Sequence, residues 1–244
     1  AVGPLLRWRR DRFARIKRPV IAVAAVAAIV LLALWLVEGI AFLELLGVTL
    51  AATVAVAAFL PLRGRSLRRL PLPVWGMAIA HFGVAVALFG MAVDTAFTVE
   101  KLTAANVGDT VAVGPWQVRL SAVEPVAGPN WTALSGRLSA SYSGGAGHLL
   151  VPQSRTFWAP PQTTSESALL TRWNGQLYTV IGQQTQDGRW QLRLWWKPFV
   201  TFIWFGGVLI GLGGLLALIG RVSVDVRRRV AIRKIAARRA ETAR

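Results

Sequence analysis

The chain has 244 residues, of which 54% are hydrophobic, and carries 28 Lys/Arg against 11 Asp/Glu, a formal net charge of +17. Its mean hydropathy is +0.49, and its apolar share exceeds the roughly 45–50% of soluble domains. The absence of cysteine excludes a disulfide framework, a CxxC redox pair, a cysteine metal site and a CxxCH haem attachment site.

The basic residues come first in chain order and explain the charge. Residues 7–18 hold seven Lys/Arg and one Asp, residues 61–70 hold four Arg, and residues 221–244 hold nine Lys/Arg with Asp225 and Glu241. These three segments hold the whole net charge; the rest has eight basic and eight acidic residues. Each segment adjoins an apolar run, which is the positive-inside pattern of a membrane protein and not a nucleic-acid surface. No nucleic-acid partner is expected.

Four uncharged apolar runs follow: residues 19–37, 45–62, 70–93 and 198–220. Each is close to the 20 or so residues that cross a bilayer. The arginines orient them, with the 1–18 segment, the 63–69 loop and the 221–244 tail on the cytoplasmic face. The expected architecture is an α-helical integral membrane protein with four transmembrane helices and one extramembrane β-rich domain, residues 94–197, between helices three and four. Both termini are then cytoplasmic, and in a bacterium the domain lies in the periplasm. The first residue is Ala1, and the Arg-rich start does not read as a signal peptide, so the chain is expected to be part of something longer.

Within residues 94–197, Trp116, Val118, Leu120 and Ala122 alternate with Gln, Arg and Ser, and Trp190, Leu192, Leu194 and Trp196 share a face. Period-two alternation predicts half-buried strands. Turn signals at Val107-Gly-Asp, Ala127-Gly-Pro-Asn, Ser143-Gly-Gly and Gln186-Asp-Gly separate them. A small antiparallel sandwich or barrel is the result. Trp195, Trp196 and Trp204 are expected in an aromatic belt at the start of span four, with Pro198 in its first turn. The tail beyond 220 is read either as a helix on anionic headgroups or as a solvated basic segment.

His81 stands out, about 13 Å into the third span from Leu72. An ionisable side chain near mid-bilayer points to function. A neutral imidazole suits haem or metal ligation, or a bond to a neighbouring helix. Gly76, Ala80, Gly83, Ala87 and Gly90 form a small-residue stripe on another side of this helix, suited to close helix approach. His148, in a Gly-rich segment outside the membrane, is read as a surface residue. Glu38 and Glu44 flank the turn between spans one and two as hydrated interface residues, with a proton-relay role as the alternative. A channel or transporter is disfavoured by the scarcity of intramembrane polar groups.

Several blocks then carry a resemblance: Gly3-Pro-Leu-Leu-Arg-Trp, Pro71-Leu-Pro-Val-Trp-Gly-Met-Ala-Ile-Ala-His-Phe-Gly-Val-Ala-Val, Gly128-Pro-Asn-Trp, Leu177-Tyr-Thr-Val-Ile-Gly, Gly188-Arg-Trp, and Trp195-Trp-Lys-Pro-Phe-Val-Thr-Phe-Ile-Trp-Phe-Gly running into Leu212-Gly-Gly. In this order they resemble the C-terminal part of the CcmF family, the haem lyase subunit of bacterial cytochrome c maturation, up to about Arg221. The resemblance implies a location in the bacterial inner membrane and a haem b held there by two histidines on different helices, His81 matching one of them. The other ligand, the tryptophan-rich haem-handling segment and two periplasmic histidines lie upstream in the family. The implied function is the C-terminal half of a haem lyase component, inactive without its N-terminal part, whose haem b supports reduction of the haem being attached. The implied partners are that N-terminal part, a CcmH-type subunit presenting apocytochrome c, a periplasmic haem chaperone, apocytochrome c and membrane lipid. The alternative is a non-enzymatic scaffold whose β domain docks maturation partners.

Overall fold

The computed structural model describes residues 13–36 and 41–242. Four helices run over Phe13–Trp35 (α1), Phe42–Phe59 (α2), Leu72–Phe97 (α3) and Thr201–Thr242 (α4), and ten strands lie between α3 and α4. The chain divides into two units, one of residues 1–92 with 202–244 and one of residues 93–201.

In the helical unit, uncharged apolar runs leave the backbone no polar solvent, so it must satisfy its own hydrogen bonds as helix. Three stretches, Phe42–Leu62, Leu72–Phe97 and Thr201–Arg233, are long and apolar enough to cross a membrane. The expected first span, 19–37, is helical through Trp35, but its apolar part, Val20–Trp35, is shorter than the other three. Its last residue, Val37, lies outside the described residues. Buried Thr49 and Thr53 donate to Leu45 O and Leu50 O at 2.8 Å, so neither hydroxyl is left unpaired.

The small-residue stripe of α3 has a counterpart. Gly76, Gly83 and Gly90 recur every seven residues, and so do Gly206, Gly213 and Gly220 on α4. The two rows meet antiparallel. A Cβ on Gly76 would lie 2.5 Å from Gly213 O, one on Gly83 2.7 Å from Ile210 N, and one on Gly90 2.8 Å from Ile203 N. A Cβ on Gly206 would reach Ala87 N at 2.5 Å. These are backbone obstacles, so the helices approach as closely as glycine permits. On another side of α3, buried Ala78, Ala85 and Ala92 form a second seven-residue stripe. Gly47 of α2 packs on Ala92, and Phe59 meets Phe82 at 5.3 Å between ring centroids.

The other face of α4 exposes Trp204, Phe205, Val208, Leu212 and Leu215. A stripe of this size would be an association hazard in water and suits a hydrocarbon solvent. The helix continues without a break through the basic segment, for roughly 63 Å in all. The tail expected as a separate element is therefore the last part of α4. Helix-compatible Ala, Ile, Val and Arg carry the backbone on after the apolar run ends.

The second unit has two sheets. One runs β1(Val99–Ala105)–β10(Trp190–Pro198)–β9(Gly175–Gln184)–β8(Ala168–Arg172); the other runs β2(Thr110–Val113)–β3(Trp116–Ala127)–β4(Trp131–Tyr142)–β6(Gln153–Trp158)–β7(Pro161–Glu166), with β5(Gly147–Leu150) also on β4. The alternation read in the sequence has become burial. Trp116, Val118 and Leu120 point inward from β3, and Leu192, Leu194 and Trp196 from β10. Trp116, Tyr142 and Trp196 pack as an aromatic trio with centroids 5.1–6.2 Å apart. Trp195 and Trp196 thus belong to the β unit and not to a belt around α4. The helix also starts three residues later than expected. Pro198 pairs with Gly175 at the end of β10, and Phe199, at φ 55°, turns the chain before α4 begins.

The far turn of the β9–β10 hairpin carries an ionic clasp. Arg189 Nε donates to Asp187 Oδ2 at 2.6 Å, and Thr185 Oγ1 donates to the other carboxylate oxygen. These bonds, Arg189 first, hold the Asp187 carboxyl down to about 2. The folded value lies below the roughly 3.9 of an unfolded aspartate, so between the two values the unfolded chain binds more protons. The clasp therefore contributes fully above about pH 4 and is lost as pH falls through about 2. The Asp187 carboxyl carbon should titrate near 2 by NMR; a midpoint near 4 would mean that the clasp does not form in solution.

Candidate functional site

His81 lies in the third turn of α3, where the helix is held on two sides by glycine and alanine contacts. At roughly 100° per residue, the imidazole projects about 140° round from Gly76, on the flank of the alanine stripe. It is half-buried. Val84, one turn further along the same side, is 39% exposed, and Met91 is 45% exposed. His81 thus stands between the buried alanine stripe and the more exposed flank that carries Val84.

The ring is oriented by its own helix. Nδ1 lies 2.8 Å from the backbone carbonyl of Met77. A carbonyl oxygen only accepts, so Nδ1 carries the hydrogen, and the neutral ring keeps its lone pair on Nε2. No hydrogen bond to Nε2 is formed among the described residues. A backbone carbonyl that fixes tautomer and ring plane while leaving Nε2 to ligate is the arrangement found behind metal-bound histidines. Among the described residues no three His, Cys, Asp or Glu side chains cluster. A site here takes one ligand from this helix and needs its second elsewhere.

The other polar candidates are not brought to His81. His148 is exposed on β5, a strand where a loop was expected, in the other unit. Glu44 lies in the first turn of α2, and its Oε2 is buried without a hydrogen-bond partner among the described residues. Glu38 lies outside the described residues. Sequence reasoning missed three orphaned groups at one end of the sandwich: buried Trp116 Nε1, Arg172 Nε and Asn174 Oδ1. All three belong to residues grouped around Tyr142, with the Trp116 ring 5.1 Å away, the Arg172 guanidinium stacked at 4.6 Å and Asn174 Nδ2 donating to the Tyr142 hydroxyl at 2.8 Å. No periodicity signals such a cluster, because its members come from three separate strand ends.

Comparison with known proteins places this geometry. Residues 96–198 match the family model described as the CcmF C-terminal beta-sandwich. The chain is 31% identical over 231 residues to the cytochrome c-type biogenesis protein CcmF of Haemophilus influenzae, covering 90% of this chain and 36% of the relative. It is 32% identical over 222 residues to the CcmF of Escherichia coli, covering 89% and 34%. A solved structure titled cytochrome c heme lyase CcmF shares the fold at a TM-score of 0.73 and 23% identity, over 89% of this chain and 37% of that one. The chain thus spans about a third of the length of these relatives. With the sandwich matched by the family model and about nine-tenths of the chain aligned to these relatives, the chain belongs to the CcmF family and represents its C-terminal region.

Proposed function

We propose that the chain is the C-terminal membrane portion of a cytochrome c haem lyase, in which His81 is one axial ligand of a haem b within the membrane. The observation that carries this reading is the hydrogen bond from His81 Nδ1–H to Met77 O at 2.8 Å, which leaves Nε2 as the ring's ligating nitrogen. The residues present fit one ligand of a six-coordinate iron. The second ligand would come from the upstream part of the lyase. A haem held there would supply electron transfer, keeping the iron of the transferred haem reduced. This chain's own contribution is to bind and orient: α3 presents the imidazole in one tautomer, and the apolar helix surroundings exclude water from it.

In this reading α1 crosses the membrane with the other three helices, both termini are cytoplasmic, and the sandwich lies in the periplasm of a bacterial inner membrane. The arginine distribution supports that orientation. The proposed partners are the N-terminal part of the lyase, a CcmH-type subunit, a periplasmic haem chaperone and apocytochrome c. A docking role for the sandwich is supported by the outer face of its four-stranded sheet, where Leu102 is 69% and Leu169 48% exposed beside Tyr178 and Trp195, whose rings pack edge-on at 5.0 Å.

His81→Ala in the lyase with its N-terminal part present is expected to remove or shift the b-type absorption spectrum of the purified protein. An unchanged spectrum overturns the ligand assignment.

A further inference from the structure

The last strand of the sandwich runs on into α4, and the corner of the β unit at that junction carries a tryptophan that the fold does not bury. Trp173 and Asn174 make the two-residue turn between β8 and β9. Three hydrogen bonds fasten this turn: Phe199 N–H donates to Asn174 O at 2.9 Å, Thr201 Oγ1 donates to Trp173 O at 2.9 Å, and Asn174 Nδ2 donates to the Tyr142 hydroxyl at 2.8 Å. The backbone of the turn is thus held firmly while the indole is 74% exposed. The ring meets Phe199 edge-on, with centroids 6.4 Å apart.

The location of the turn decides what covers the ring. Thr201 is both the hydrogen-bond donor to Trp173 and the first residue of the apolar stretch Thr201–Arg233. The Trp173 carbonyl therefore sits at the level where the apolar stretch of α4 begins. An indole has an apolar body and an N–H donor, the combination favoured at the headgroup layer, where one end is dry and the other wet. Trp204, in the first turn of α4, is 77% exposed and has the same chemistry at the same point of the chain.

We infer that the β8–β9 turn is a membrane-docking wedge: Trp173 inserts into the headgroup layer of the bilayer on the side where α4 enters it, and seats the sandwich on the lipid surface. The inference rests on α4 crossing the membrane and is independent of haem ligation and of which face is cytoplasmic.

Because the chain contains no cysteine, W173C creates a unique labelling site. With a nitroxide attached and the protein in phospholipid vesicles, power-saturation EPR compares accessibility to oxygen, which concentrates in lipid, with accessibility to a water-soluble nickel chelate. Q186C, at the opposite end of the β9–β10 hairpin and roughly 30 Å along the strands, is the reference. The label at 173 should show an oxygen-to-nickel ratio several-fold above that at 186. A ratio equal to that at 186 overturns the wedge, and so does shielding from both reagents, which would mean that protein covers the turn. A second measurement leaves the ring in place: the fluorescence component removed by W173F should be quenched by lipids carrying a nitroxide near the headgroup. If that component is not quenched, the wedge is also overturned.

Discussion

Replacing Gly206 with valine is expected to prevent α3 and α4 from closing on each other, whereas the same replacement at Gly207 leaves the pair intact. A Cβ at Gly206 would lie 2.5 Å from Ala87 N, while nothing stands within 4 Å of a Cβ at Gly207. Overpacking against side chains that can rotate away costs about 1–3 kcal/mol. Here the obstacle is backbone, so the helices themselves must part. Between membrane helices association rests on close van der Waals contact, because lipid is as apolar as the side chains. Parting them by even 1 Å or so forfeits a large part of that attraction along the whole zipper. Gly206→Val should therefore cost more than the usual overpacking range, and Gly207→Val about 1 kcal/mol or less, the scale of helix propensity. Unfolding midpoints of the two variants in one detergent test this; equal midpoints would mean that the close crossing is not formed.

The second large effect is expected in the sandwich. Trp116 has no exposed surface, and its ring packs against both Tyr142 and Trp196. Trp116→Ala should cost about 3–5 kcal/mol, a large share of the roughly 5–15 kcal/mol that holds a domain together. Trp158→Ala removes the same side chain from a site where it is 54% exposed and should cost far less. Trp116→Phe separates volume from polarity. The indole N–H has no hydrogen-bond partner among the described residues, so its removal relieves an unpaired donor worth about 1–3 kcal/mol and offsets part of the lost packing. Denaturant unfolding followed by tryptophan fluorescence should rank the variants Trp116→Ala, Trp116→Phe, Trp158→Ala from most to least destabilised. A Phe variant as unstable as the Ala variant would show that the N–H is bonded after all.

Much of this was legible because the signals are local. Trp116 to Ala122 and Trp190 to Trp196 alternate cleanly, and both became inward-facing strands. The stripe from Gly76 to Gly90 was readable as a helix-packing face, and the isolated position of His81 as a candidate ligand. Its partner stripe was harder to see, because Gly206, Gly213 and Gly220 are interspersed with Gly207, Gly211 and Gly214, which meet nothing. Strands β6 and β7 show little alternation in burial; β7 is the edge strand of its sheet and β6 lies next to it. The pairing of β1 with β10 joins Val99 to Trp196, a distance in sequence that no local period reports. The start of α4 was misplaced because proline can close a strand where its neighbour on one side has ended, as β1 does at Val99 opposite Trp196, as readily as it opens a helix, and here the ladder to Gly175 takes precedence.

The seven-residue spacing shared by α3 and α4 has a consequence for depth. The two helices cannot slide past one another smoothly, since an intermediate offset sets a bulky side chain against backbone where glycine stood. The next offset that matches glycine rows is seven residues away, roughly 10.5 Å along the axis, about a third of the hydrocarbon thickness. The pair therefore behaves as a detent with widely separated stops. The vertical position of His81 is indexed against α4 by whole heptads, so thermal motion does not grade it and a prosthetic group ligated there would be held at a single level in the membrane.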